Sequence, residues 1–186
     1  VFINARQFSR ATVQAEQIVA VDLSGKLVEG AHEPPSETPL HTAIYRARSD
    51  VASIAHLHSH YVTVLGIARQ RIVPVFVMGS FFAAGVPVYD DADLITTAAK
   101  ADAVAQTLGA ARAAVLRGHG AVVVGASVED AFMASVYLEE NARKQYDALQ
   151  VGAIQTLSED ELRRLAQSID KKKSMKKVWE YYASRE

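Results

Sequence analysis

The chain of 186 residues has six histidines, and the stretch IAHLHSHYV carries His56, His58 and His60. Another, His119, stands between two glycines in LRGHGAV. Imidazole nitrogen suits zinc, iron, copper and nickel, and a catalytic ion typically keeps three protein ligands and one open position. On a strand, side chains two apart share a face, so His56 and His58 stand about 7 Å apart at Cα and can converge on one ion. His60 lies roughly twice as far from His56 and stays out of the group unless the strand bends. It reads as pocket wall where the strand ends. A third ligand must come from elsewhere in the chain. His119 is the best candidate, because flanking glycines permit close backbone approach and leave room for a substrate. A lone histidine is ordinarily a satisfied core or surface residue, the reading given to His32 and His41. The His-x-His repeat is what changes the balance for His56 and His58, whereas Gly-His-Gly alone would read as a tight turn.

The elements that must position these residues are legible in the pattern around them. VFIN and IVAVDLSGKLVEG predict strands, the second a hairpin about Ser24-Gly25. After the proline-rich AHEPPSETP loop, Thr38 is placed to cap a helix with Pro39 at its first position. Leu40, Ala43, Ile44 and Ala47 then recur at helical spacing. Asp50 leads into VASIAHLHSHYVTVLGIA, a strand passing into a short helix near Tyr61. RIVPVFVMG and GVPVYD predict short strands, and residues 92–108 predict a helix stopped by Gly109. AAVLRGHGAVVVGAS is two apolar runs hinged on Gly118-His119-Gly120. Ser127 and Asp130 begin a long helix to about Leu149. Ser158 and Glu161 begin another, running through the solvated lysines of KKKSMKK toward VWEYYASRE. Strands come in hairpins and singles, with helices separating the groups. That pattern predicts the α/β class, with a mixed or antiparallel sheet covered by helices, as one domain over 1–186.

Hydrophobic residues make up 49% and charged residues 22%, with a formal net charge of -1, which is ordinary for a globular enzyme or binding protein. Such a balance points to neither nucleic acid nor an anionic membrane as a partner. With no cysteine, disulfides, thiolate metal sites and a cysteine nucleophile are excluded. No apolar run approaches the roughly 20 residues that span a bilayer, and no basic-then-apolar leader is visible. A cytoplasmic protein is therefore the expectation. The chain opens at Val1 within a predicted strand, so an absent N-terminal segment is expected as well.

PPSETPLHTAIYRARSDVASIAHLHSH, followed much later by VLRGHGAVVVGASVEDAF, resembles the class II aldolase/adducin family, which includes fuculose-phosphate aldolase and ribulose-phosphate 4-epimerase. The likeness runs from INARQFSRATVQAEQIVAVDL to about Leu149. It implies an α/β/α sandwich around a central, mainly antiparallel sheet. It implies a homotetramer with active sites at subunit interfaces. It implies His56, His58 and His119 as ligands of one divalent ion, zinc first, with manganese, cobalt or iron as alternatives. Glu37 matches the family's catalytic acid, either the general base or an exchangeable fourth ligand. Non-catalytic adducin-type members lack the ligands, which this chain keeps.

Such a site polarises a carbonyl or phenolic oxygen and stabilises an enolate-type intermediate, with Glu37 moving the proton. Retro-aldol cleavage, epimerisation, dehydration and decarboxylation are all open to it. The chain departs from the sugar-phosphate members at several points. Val77 stands where the aldolases carry a donor tyrosine, the residues near Gly79 to Ala83 lack the epimerase aspartate, and Pro35 stands before Ser36 where paired serines bind phosphate. VPVFVMGSFFAAGVPVYDDADLI looks more like a branch of metal-dependent decarboxylases acting on hydroxylated aromatic and pyridine carboxylic acids. In that reading Phe81, Phe82 and Met78 face a flat ring, and Arg117, beside the third ligand, anchors a second carboxylate. Tyr181 or Tyr182 in the tail could donate a proton. The expected activity is a metal-dependent carbon–carbon lyase on a small molecule, leaning to decarboxylation, with an aldolase as runner-up and an adducin-like interaction protein as a third reading.

Overall fold

Two β-sheets, each in its own compact unit, organise the residues described by this computed structural model, 1–9 and 11–185. Glu186, the end of the predicted tail helix, lies outside them.

The first unit comprises Val1–Asp50 with Asp93–Gln106. Its strands β1 (Phe2–Asn4), β2 (Ile18–Val21) and β3 (Leu27–Glu29) form an antiparallel sheet in that order. Alternating inward residues Ile3, Ala5, Val19 and Val21 make its small core. The β2–β3 turn falls where expected. The Asp22 carboxylate accepts from the Ser24 and Lys26 backbone N–H groups at 2.8 and 3.0 Å, and Gly25 takes a φ of 87°. Helix α1 (Thr38–Ala47) starts one residue earlier than predicted. Thr38 already lies in the helix, its hydroxyl donating to the Pro35 carbonyl at 2.6 Å, so Glu37 takes the N-cap position. Leu40, Ala43 and Ile44 are buried as the spacing requires, while Ala47 is exposed. Helix α3 (Ala98–Leu108) begins later than residue 92 and ends at Gly109, whose φ is 51°.

The second unit comprises Val51–Ala92 with Thr107–Glu186. Strands β4 (Ser53–Leu57), β5 (Val88–Tyr89), β6 (Ala113–Leu116) and β7 (Gly120–Gly125) lie in the order β4-β7-β6-β5. Only β5 and β6 are parallel, so the sheet is mainly antiparallel, as expected. Every residue of β6 and β7 is buried, which explains why both read as continuous apolar runs. Helix α4 (Val128–Val151) packs on β7 and β4, and helix α2 (His60–Ile67) packs on α4, β6 and β7. Val62, Leu65, Phe82, Val115, Val123 and Leu138 form the centre of the resulting core. Ser127 caps α4 as predicted, its hydroxyl accepting from the Asp130 N–H at 3.2 Å.

Two expectations are corrected here. RIVPVFVMG is no strand; it runs irregularly into a 3-10 helix at Val77–Phe82. Its backbone is paired by side chains of α4 instead of by a neighbouring strand. Asn141 accepts from Val75 N–H at 3.1 Å and donates to the Val73 carbonyl at 2.8 Å. Gln145 accepts from Val73 N–H at 3.0 Å and donates to the Arg71 carbonyl at 2.7 Å. Both side chains are buried, and satisfied backbone groups need no sheet. The predicted C-terminal helix is two helices, α5 (Glu159–Ser168) and α6 (Lys171–Ala183). Ile169 is extended, and the Asp170 carboxylate accepts from Lys173 N–H at 3.0 Å, which starts α6 afresh. Lys171 reaches the buried Asp130 at 3.1 Å, and Phe132 meets the rings of Trp179 and Tyr182 edge-on, which docks α6 on α4. Among the described residues, no helix is long and apolar enough to cross a membrane.

Candidate metal centre

Three histidines from two chain segments 61 residues apart (His58 to His119) meet at one end of the second sheet. The β4–β7 ladder runs to Leu57↔Ala121, so His56 lies within it and His58 falls just beyond it. The β6–β7 hairpin closes at Leu116↔Gly120 with Gly118 at a φ of 71°, which puts His119 at its tip. Gly120 is required by space. A Cβ there would stand 2.0 Å from the Leu57 carbonyl oxygen and 3.2 Å from the Cα of His58. The bare backbone lets the hairpin tip pass against the end of β4, and that approach brings the rings together.

The ring centroids form a nearly equilateral triangle with sides of 5.1, 4.8 and 5.0 Å. One nitrogen from each ring lies within 4.8 Å of the other two. Nitrogens on a tetrahedral ion with bonds of about 2.1 Å stand about 3.4 Å apart, so modest ring rotations close the set. His56 Nδ1 donates to the Ala121 carbonyl at 3.1 Å, which presents the lone pair of Nε2 to the other rings. His56 and His119 are half-buried, and His58 is exposed. Three imidazoles with one tautomer fixed by a backbone carbonyl fit a divalent ion. His60, at the first position of α2, packs edge-on against Tyr61 and lies outside this group.

The other predicted site residues divide. Glu37, half-buried in the first unit, accepts from the Ile95 N–H at 2.9 Å. Arg117 pairs with Asp90, which Arg69 also approaches at 3.2 Å. Their guanidinium groups, that of Arg117 foremost, hold the Asp90 carboxyl below its usual range. Phe81 stacks on Tyr137 with centroids 5.8 Å apart and carries Arg112 over its ring, joining the core. Met78 is half-buried on the same 3-10 helix, and Phe82 is core. Arg117, Phe81, Met78 and Phe82, all of the second unit, do not line the cavity beside the triad. Tyr181 and Tyr182 do. A cavity of about 980 Å³ is bounded by His58, Ser59, Tyr61, Phe132 and both tail tyrosines, with Glu139 of α4 also on its wall.

Sequence reasoning missed three residues of α4 that reach across to other segments, of which Glu139 adjoins this site. Asn141 and Gln145 pin the segment before the 3-10 helix. Glu139 accepts from the Tyr61 and Val62 N–H groups at 2.9 and 3.1 Å. A signal existed for the first two. They stand four apart on the buried face of a helix, where the period calls for apolar side chains.

The chain matches the model of the Class II Aldolase and Adducin N-terminal domain over residues 1–146. It is 34% identical over 129 residues to the 3,4-dihydroxyphthalate decarboxylase of Terrabacter sp. (strain DBF63), which covers 66% of this chain. The chain spans only about half, 53%, of that relative's length. It is 27% identical over 155 residues to the 5-deoxy-D-ribulose 1-phosphate aldolase of Bacillus thuringiensis serovar kurstaki, covering 83% of this chain and 72% of that one. Among solved structures, an L-fuculose 1-phosphate aldolase superposes with a TM-score of 0.81 at 26% identity, covering 89% of this chain and 78% of the other. The triad geometry, the mainly antiparallel sheet and the match over residues 1–146 agree, and the chain belongs to the class II aldolase and adducin family.

Proposed function

We propose that the chain is a metal-dependent carbon–carbon lyase that decarboxylates a small hydroxylated aromatic or heteroaromatic carboxylic acid. The observation that carries this reading is the three-imidazole cluster opening, at His58, on a cavity walled by Tyr61, Phe132, Tyr181 and Tyr182. Aromatic walls favour a planar ring through offset and edge-on stacking. The likeness to a dihydroxyphthalate decarboxylase supports the reaction type.

His56, His58 and His119 would hold a divalent ion, zinc first among zinc, manganese, cobalt and iron, and such an ion supplies Lewis-acid polarisation of a substrate oxygen. The Ala121 carbonyl keeps His56 in one tautomer, so the ring need not reorganise during turnover. Tyr181 and Tyr182 of α6 would flank the substrate ring. The bond between ring carbon and carboxyl carbon breaks, the electron pair stays on the ring, and carbon dioxide leaves. The ring carbon then takes a proton, a transfer assigned to the carboxyl of Glu37 by its match to the family acid. We assign the assembly as a homotetramer, consistent with the exposed apolar side chains of Phe2 and Ile67, 79% and 63% accessible.

A second reading, an aldolase acting on a hydroxy-ketone or sugar phosphate, is favoured by one observation. Tyr181 and Tyr182 line the same cavity as His58, where a phenol oxygen could take the proton of the hydroxyl that becomes the product aldehyde and return it in the condensation direction. A non-catalytic adducin-like role leaves the convergence of three imidazoles without a purpose. The test strips metal with a chelator, restores zinc or manganese, and assays two substrate classes. Carbon dioxide released from dihydroxybenzoic-type acids only when metal is restored supports the proposal. Turnover confined to phosphorylated ketoses replaces it with the aldolase, and no stoichiometric metal in folded protein sinks both.

A further inference from the structure

We infer that Glu139 is a positioning residue for the metal centre: its carboxylate, reaching across from α4, caps α2 and so fixes the turn that aims His58. The inference rests on reading the triad as a metal site and assigns a role to a residue outside it.

The three histidines stand on different parts of the backbone. His56 sits in the β4–β7 ladder and donates to Ala121, and His119 is held at a hairpin tip between paired strands. His58 follows the last ladder pair and is the exposed member. Its backbone is set by what lies on either side. Before it, Leu57 pairs with Ala121 and the bare Gly120 backbone runs close by. After it, Ser59 is extended and α2 begins at His60.

The first N–H groups of a helix have no partner within it, and the N-cap side chain usually supplies one. Ser59 occupies the N-cap of α2, but its hydroxyl makes no capping bond. Glu139 takes that role from 80 positions further along, as counted from Ser59. One carboxylate oxygen accepts from Tyr61 N–H at 2.9 Å and the other from Val62 N–H at 3.1 Å. A two-oxygen bond fixes both position and orientation of the helix start, and negative charge there is favoured by the helix dipole. Glu139 lies one turn before Arg143 on α4, the helix that also packs on β4 and β7. The helix that backs the sheet is therefore tied directly to the turn carrying His58. Groups hydrogen-bonded to a metal ligand change metal affinity by about 10- to 100-fold, which sets the upper scale for a group that acts through the ligand's backbone.

The experiment measures zinc dissociation constants of the full chain by competition with a chromophoric chelator, for wild type, Glu139→Ala, Glu139→Gln and Ser158→Ala. Ser158→Ala removes the capping box of α5 and reports what cap loss alone does. Melting temperatures of the metal-free proteins and the visible spectrum of the cobalt forms are recorded beside them. Glu139→Ala is expected to weaken zinc binding by up to roughly 10- to 100-fold and to alter the cobalt spectrum, with Ser158→Ala unchanged in both. Gln keeps one acceptor and should fall between. A folded Glu139→Ala protein with wild-type zinc affinity and cobalt spectrum overturns the inference while leaving the metal site intact. Should Glu139→Ala not fold, unchanged affinity in Glu139→Gln overturns it equally. Wild-type protein that binds no zinc overturns the reading of the triad, and this role with it.

Discussion

The Nδ1 of His56 donates to the carbonyl oxygen of Ala121 at 3.1 Å, two residues along the chain from His119. Strand β7 thus sets the tautomer of one histidine and delivers another. The histidine cluster is consequently tied to the β4–β7 pairing, and disturbing either strand should be read out in metal binding.

Removing one imidazole should empty the site and spare the fold. His119→Ala leaves β6 and β7 paired on both sides of the tip. Metal content after dialysis against a weak chelator is expected to fall from near stoichiometric to background. Catalytic rate should fall by at least about 100-fold, on the scale of losing ion-supplied charge stabilisation. Circular dichroism should stay unchanged.

Gly120→Ala should do the opposite, damaging the fold as well as the site. The added methyl would meet the Leu57 carbonyl at 2.0 Å, closer than real contacts allow, and β7 is buried along its whole length. A loss of about 3 kcal/mol is expected, at the upper end of overpacking costs. For a chain of this size that is roughly 6 to 12 °C in melting temperature. Zinc affinity should fall alongside. Wild-type melting and metal binding in the Gly120→Ala variant would refute the close-approach argument.

Acid stability should depend on Asp130. Burial pushes its carboxyl up, but the Ala126 N–H, the Arg112 guanidinium and the Lys171 ammonium outweigh this and hold it below the ordinary value of 3.8. A carboxyl with a depressed folded value contributes stability in full above its unfolded value and loses it as pH falls through the folded one. Unfolding should therefore steepen below about pH 4 in wild type and less so in Asp130→Asn. At pH 7 that variant leaves Arg112 unpaired and partly buried, and should lose about 3 kcal/mol. Thermal melts at pH 3, 5 and 7 check both halves.

The tail tyrosines separate the two enzymatic readings. Tyr181→Phe with Tyr182→Phe keeps the aromatic walls and removes both hydroxyls. Decarboxylation should change by only a few-fold. An aldolase using either phenol to carry the proton should lose roughly 100-fold or more. Steady-state rates on both substrate classes decide between them.

Much of this arrangement was legible because its signals are local. The His-x-His spacing, the glycines around His119 and the caps at Ser127 and Ser158 each act within a few residues, and each sits where expected. Segment 71–76 misled because its Val and Pro content was read for strand propensity. What determines its conformation is a pair of side chains about 70 positions later, and propensity carries no trace of them. The break at Ile169-Asp170 was hidden between two runs that each suit a helix, ELRRLAQS before it and the lysines of KKKSMKK after it. Glu139, unlike Asn141, gave no signal: a glutamate on a long helix looks solvated until the element it caps is known.

The hold of Asn141 and Gln145 on the 71–75 backbone has an evolutionary consequence. Those two side chains grip main-chain amides and carbonyls, groups that every residue but proline supplies alike. The backbone of this stretch is thus set from α4, while Ile72 is buried and Val73, Pro74 and Val75 are half-buried. Substitutions that keep those volumes leave the grip of Asn141 and Gln145 untouched, so side-chain identity here is constrained by packing alone.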